Sequence, residues 1–157
     1  MAPSVIETLL GWLPPSQPAF VKGYKRHPVR GFVFPGMIQA ANTASAETTR
    51  DVVQGKVYHQ LTDHDWYRLD WFEGEEYQRH VATVHLQQAS TSVGNDSKTD
   101  AVSCPLYLWS NPIAELNTLQ EWDYDAFVQQ HLEQYIAKTV QPCRIELDRK
   151  TSRKDDS

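Results

Sequence analysis

The order of elements along the chain predicts an α+β fold built on a mainly antiparallel sheet, and three observations carry that expectation. Extended segments rich in aromatic and β-branched residues outnumber the helical ones. Strands and helices do not alternate as βα units, which a parallel sheet would require. No internal repeat or heptad array runs through the 157 residues, so the chain reads as one domain with a sizeable core. The expected architecture is a curled sheet or small β-barrel packed by three helices.

The elements follow in order. Val5, Ile6, Leu9 and Leu10 recur at helical spacing, with Ser4 as the expected N-cap and Gly11 as the stop. "LPPSQP" forces a loop. From Ala19 to Phe34 the chain reads as extended segments broken at Gly23 and Gly31. "PGMIQAANTASAETTRD" reads as a turn and then a polar loop, and Val52–His59 alternates as a strand. Thr62 caps a helix ending near Phe72, with Asp63 and Asp65 in its first turn and Trp66, Leu69 and Phe72 facing inward. Tyr77–Leu86 is a strand with Ala82, Val84 and Leu86 on one face. A polar loop, "QQASTSVGNDSKTDA", leads to a strand over Val102–Ser110. One amphipathic helix capped near Asp123 then buries Phe127, Val128, Leu132, Tyr135 and Ile136. Residues 1–140 form the expected domain, and residues 141–157 are expected as a charged C-terminal tail that frays at its end.

Bulk properties exclude several classes. A net charge of −5 gives no basic footprint for nucleic acid or an anionic membrane. No stretch reaches the ~20 apolar residues of a membrane span, and "MAPSVIETLLGWLPP" lacks the basic start of a signal peptide. Cys104 and Cys143 have no CxxC partner, so they are expected as reduced structural thiols of a cytoplasmic protein. His80 and His85 are five apart on a strand and face opposite ways, so they cannot chelate together. His59 and His64 straddle a strand-to-helix turn and read as solvated histidines. No metal and no cofactor is expected. No phosphate-binding glycine loop and no GxSxG elbow is present.

That leaves "RLDWFEGEEYQR", residues 68–79. Glu73 falls at a helix-to-strand junction, with Gly74 free to turn the chain behind it. A carboxylate held against Trp71 and Phe72 loses hydration in its charged form. Its pKa should then rise toward neutrality, where a proton-transfer group works best. The same pattern also suits three glutamates solvating a turn, and the residues alone leave both readings open.

The motif resembles the signature of the γ-glutamylcyclotransferase-like family, especially its plant avirulence-induced-gene branch: L-D-x-F-E followed by E-Y-x-R. "LPPSQPAFVKGYKRHPVRGFVFPGMI" and "VVQGKVYHQLTDHDWYRLDWFE" resemble further stretches of that family, as do "YLWSN" and "EWDYDAF". The resemblance spans roughly residues 1–138. It implies a small mixed β-barrel with flanking helices and a reaction that cyclises a γ-glutamyl group to 5-oxoproline. A small γ-glutamyl amine, amino acid or peptide is the implied partner, and neither its leaving amine nor the oligomeric state is legible.

By the same resemblance Glu73 is the general acid/base. Tyr77 is either a pocket donor or a half-buried strand aromatic, Arg79 is expected to pair with a carboxylate, and Tyr107 and Trp109 are expected as barrel packing. The family's opening strand and turn, V-F-V-Y-G-T/S-L-M, has no counterpart here, because Met1 aligns just after that leucine. A barrel lacking its first strand is therefore expected, with Met1 and Ala2 nearest the substrate. An upstream start, a shortened product and a degenerate relative each account for this. The alternative function is a non-catalytic module that binds a γ-glutamyl-like ligand or a protein.

Overall fold

Two elements built from neighbouring stretches of sequence fall into different structural units. In the computed structural model, which describes residues 1–40, 51–87 and 100–155, one unit comprises Met1–Pro15, His59–Gly74 and the chain from Asp123 onward. The other comprises Ser16–Tyr58 and Glu75–Trp122. The first is helical and the second is a sheet. Of the expected polar loops, residues 41–50 and 88–99 lie outside the described residues.

The sheet unit contains β1 (Ser16–Lys22), β2 (Tyr24–Pro28), β3 (Pro35–Gln39), β4 (Val52–Tyr58), β5 (Tyr77–Leu86) and β6 (Asp100–Trp109). Hydrogen bonds join four of them in the order β4-β1-β5-β6, and β2 pairs with β3 in a separate hairpin. Every pairing among the described residues is antiparallel. The α+β class with an antiparallel sheet is therefore what the chain adopts. Among the described residues the ladder is not closed into a hydrogen-bonded ring: β4 and β6 end it, and β6 carries Pro105, a residue suited to an edge because it has no N–H to donate.

Ala19 and Val21 on β1, Val57 on β4 and Ala82 and Val84 on β5 are buried together with Tyr24, as strand alternation demands. A second cluster joins Val29, Trp109 and Leu116. β3 is a strand where the sequence reads as a turn. Its Pro-Gly opening is a turn signal, yet Pro35 pairs with Pro28 at the end of the hairpin, where a missing N–H is tolerated. Gly36 then lies so close to Trp109 and Leu116 that an added Cβ would come within 2.7 Å of the leucine side chain.

The helical unit contains α1 (Pro3–Leu10), α2 (Asp63–Glu73), α3 (Tyr124–Gln130), α4 (Leu132–Tyr135) and α5 (Gln141–Asp155). Val5, Ile6, Leu9 and Leu10 are buried along α1 as expected, and Gly11 ends it at φ 85°. The cap is Ala2 rather than Ser4. Pro3, with φ preset and no N–H to satisfy, takes the first helical position and shifts the start forward.

The long helix expected after Asp123 is interrupted. Asp123 does cap α3, accepting from the Ala126 N–H at 3.0 Å, but His131 leaves helical geometry at φ −130°. Val128, expected inward, is exposed, while Phe127 is buried. After α4, Ile136–Val140 forms a widened π-helical turn in which the Gln141 N–H reaches back to the Ile136 carbonyl. Pro142 follows at once. Its ring crowds the carbonyl four residues back and offers no donor, so a local widening accommodates it.

Residues 141–155, expected as a tail, are the ordered helix α5. Val140 and Leu147, two helical turns apart, are 0% and 1% exposed and anchor it. The charge pattern concealed this, because the polar residues of α5 include partners of buried groups.

Candidate functional site

Glu73 is the last residue of α2, and the beginning of that helix explains how it is held. Thr62 accepts the Asp65 N–H through its hydroxyl at 3.2 Å, and Asp65 accepts the Thr62 N–H at 2.9 Å, closing a capping box. Asp65 is 4% exposed and also accepts the Trp12 indole N–H at 3.2 Å. Burial pushes its carboxyl up. The Thr62 amide, Trp12, the Thr62 hydroxyl and nearby His64 outweigh burial and hold it below the ordinary aspartate range.

Arg68, one turn on, is 6% exposed. Its guanidinium donates to the Leu9 carbonyl at 3.1 Å, to Asp148 at 2.6 Å and to His64 Nε2 at 2.9 Å. His64 is thus an acceptor for arginine. Arg144 donates to both oxygens of Asp148, at 3.0 and 2.8 Å, and approaches the Leu9 carbonyl at 3.4 Å. Two cations therefore share one carboxylate at the C-terminal end of α1, where the helix dipole is negative. Burial also raises the Asp148 carboxyl, but the hydrogen bonds and charges of Arg144 and Arg68 hold it below its usual range.

At the far end of α2, Glu73 is half-buried. Phe72 meets the Tyr135 ring edge-on at 6.5 Å, and Tyr135 meets Phe127 at 5.5 Å, so aromatic surface lies beside the carboxylate's helix. Trp71 is 39% exposed, its ring covered by the Lys150 ammonium at 3.5 Å. Gly74 closes the helix with its N–H on the Asp70 carbonyl, at φ 64° and ψ −159°. That backbone region is open to glycine almost alone. Glu75 and Glu76 are exposed, unlike Glu73.

The remaining expected residues are distributed as follows. In the helical unit, Met1 is 47% exposed and Ala2 is 4% exposed, with the Ala2 carbonyl accepting the Val5 and Ile6 N–H groups. In the sheet unit, the Tyr77 hydroxyl donates to the Pro35 carbonyl at 2.8 Å, and its ring stands edge-on to Trp109 at 5.3 Å. Arg79 is exposed opposite Tyr107 on β6. Trp109 is 8% exposed and packs in the core as expected. Among the described residues no group of three or more histidines, cysteines or carboxylates is placed to hold a metal ion. None of the described helices is long and apolar enough to cross a membrane.

Sequence reasoning placed Asp65 in the first turn of its helix but missed the hydrogen bonds that hold it, and it missed Arg68, Arg144 and Asp148. A signal was present in part: Thr62-x-x-Asp65 has capping-box spacing, and His64–Arg68 and Arg144–Asp148 are both four apart on a helix. Nothing in the sequence alone joins Arg68 to Asp148.

The class of fold is an α+β chain with an antiparallel sheet and flanking helices. Residues 1–126 match the family described as Gamma-glutamyl cyclotransferase, AIG2-like, and the chain belongs to it. AIG2-like protein D of Arabidopsis thaliana is 28% identical over 139 residues, covering 88% of this chain and 80% of that protein. Protein AIG2 B of the same plant is 28% identical over 134 residues, covering 85% and 69%. The solution structure of At5g39720.1 from Arabidopsis thaliana aligns with a TM-score of 0.56 at 21% identity, over 87% of this chain and 79% of that one. The solution structure of At3g28950.1, also from Arabidopsis thaliana, aligns at 0.57 and 20% identity, over 100% and 79%. These two likenesses concern the fold.

Proposed function

We propose that this chain is a γ-glutamyl cyclotransferase in which Glu73 moves the protons. The observation that supports the reading most is the contrast within "EGEE": Glu73 is half-buried at the end of α2, beside the helix's aromatic contacts, while Glu75 and Glu76 face solvent. Gly74 gives a second support, since its backbone conformation turns the chain immediately behind the carboxylate.

The chemistry needs little more. The α-ammonium of a γ-glutamyl substrate gives a proton to the Glu73 carboxylate and becomes a nucleophile. Its nitrogen attacks the γ-carbonyl carbon of the same molecule, which closes a five-membered ring. The tetrahedral centre then expels the amine as the protonated glutamic acid returns a proton to the leaving nitrogen. The second proton of the attacking nitrogen passes through the Glu73 carboxylate to the freed amine, which departs as ammonium. Attack within one molecule removes most of the entropic barrier, and one carboxyl can serve as base and then acid. The products are 5-oxoproline and the free amine, amino acid or peptide. We place this reaction in the cytoplasm, a compartment that suits the free thiols Cys104 and Cys143.

The test is release of 5-oxoproline from a panel of γ-glutamyl amines, amino acids and peptides. It is run with this chain and with a version carrying a Y-G-T-L strand and turn ahead of Met1. Glu73→Gln is expected to lower turnover by roughly 10²–10⁴-fold, the usual size of general acid/base catalysis. Equal turnover by the glutamine variant removes Glu73 from the mechanism.

A further inference from the structure

Two contacts join α5 to the half of α2 that ends in Glu73. Asp148 on α5 takes the Arg68 guanidinium at 2.6 Å, and Lys150, two residues later, covers the Trp71 ring at 3.5 Å. Arg68 and Trp71 are three apart, one helical turn, so α5 runs along the end of α2, and it continues to Asp155. The Asp148 contact is also tied to α1, because Arg68 and Arg144 both reach the Leu9 carbonyl. All of α5 lies beyond residues 1–126, the part of the chain that matches the family.

We propose that α5 is a splint for the Glu73 end of α2, with Asp148 as a positioning residue that acts through Arg68. The physical reason is the burial of Arg68. A guanidinium that is 6% exposed holds a fixed place only while its charge is answered. Asp148 is the carboxylate that answers it, and Arg144 holds that carboxylate in a two-oxygen grip. Neutralising Asp148 leaves Arg68 with a carbonyl and an imidazole as partners. The helix must then shift to hydrate it, and Glu73 moves with the helix. The part of this inference that concerns turnover rests on the proposed function; the part that concerns α2 does not.

The experiment compares the full chain with Asp148→Asn, Asp148→Glu and, as a control, Arg149→Gln, which removes an exposed charge from the same helix. Amide hydrogen exchange is followed residue by residue. Asp148→Asn is expected to speed exchange in α2 by roughly tenfold or more while β5 and β6 keep their rates, as a local opening does. Asp148→Glu should recover part of the protection, and Arg149→Gln should leave α2 unchanged. In the active protein, Asp148→Asn should lower kcat with KM unchanged.

Unchanged α2 exchange overturns the splint. Equal acceleration in both units reduces Asp148 to a general stabiliser and overturns it too. Local loosening of α2 with full kcat overturns the positioning role. If the parent chain releases no 5-oxoproline, the catalytic reading fails, and the exchange data alone decide whether α5 holds α2.

Discussion

The hydroxyl of Tyr77 donates to the carbonyl of Pro35 at 2.8 Å, fastening the first residue of β5 to the first residue of β3. Forty-two positions separate the two residues in sequence. The bond uses the one hydrogen that a tyrosine in the E-Y-x-R motif could have offered a ligand, and the ring beneath it rests on Trp109. Tyr77→Phe is therefore expected to cost about 0.5–1.5 kcal/mol, the net worth of one hydrogen bond. The thermal midpoint should fall by a few degrees, with substrate affinity unaltered. Calorimetry and a binding titration check the two halves of this expectation. Loss of affinity with unchanged stability would return Tyr77 to the site.

Gly74 and Gly11 are both constrained, for different reasons, and alanine separates them. At Gly74 nothing lies within 4 Å of an added Cβ, so the cost is torsional alone, about 1–3 kcal/mol for a residue forced into that backbone region. At Gly11 the left-handed conformation is joined by a steric conflict: a Cβ would sit 2.5 Å from an Arg144 guanidinium nitrogen. Gly11→Ala should consequently couple to Arg144→Ala in a double-mutant cycle, whereas Gly74→Ala should not. Urea denaturation of the single and double variants measures both effects. Additivity at Gly11 and Arg144 would show that the arginine simply moves aside.

What the sequence made legible was set by local forces. Thr62 and Asp123 cap the helices assigned to them because a cap depends on residues three positions away. Tyr77–Leu86 has the expected limits because its alternation is unbroken. Pro35–Gln39 was hidden, since its strand state depends on a hairpin partner and on the close fit of Gly36 under Trp109 and Leu116. α5 was hidden for a related reason. Its charges resemble those of a tail until Arg68, eighty residues upstream, is seen to bind Asp148. At the site, Glu73 could be singled out from its motif, while the groups that hold its helix could not, because they are drawn from three separated stretches of chain.

The two cysteines offer a chemical prediction. Burial raises the Cys104 thiol, and burial together with Glu146 raises Cys143 against the opposing pull of Arg68. The thiolate is the reactive form, so both should alkylate more slowly at pH 7.5 than a free cysteine does. Timed iodoacetamide labelling with peptide mapping gives a rate for each. Labelling of either residue as fast as free cysteine would contradict the raised thiol at that position.

Acid stability follows from the two aspartates that anchor α2. Asp65 and Asp148 both have carboxyls held below the ordinary range in the fold. A carboxylate with a depressed folded pKa binds its proton less readily when folded than when unfolded. Its stabilisation is thus complete above the unfolded value, ~3.9, and is lost as pH falls through the folded value. Asp148 is 47% exposed, so solvent screens part of its contribution, and the buried Asp65 should supply the larger share. Urea midpoints measured from pH 7 downward should hold steady to about pH 4–5 and then decline. Asp148→Asn should begin from a lower plateau and decline less steeply, because one of the two titrating groups is gone. A decline of equal slope in that variant would assign the acid sensitivity to carboxylates outside this cluster.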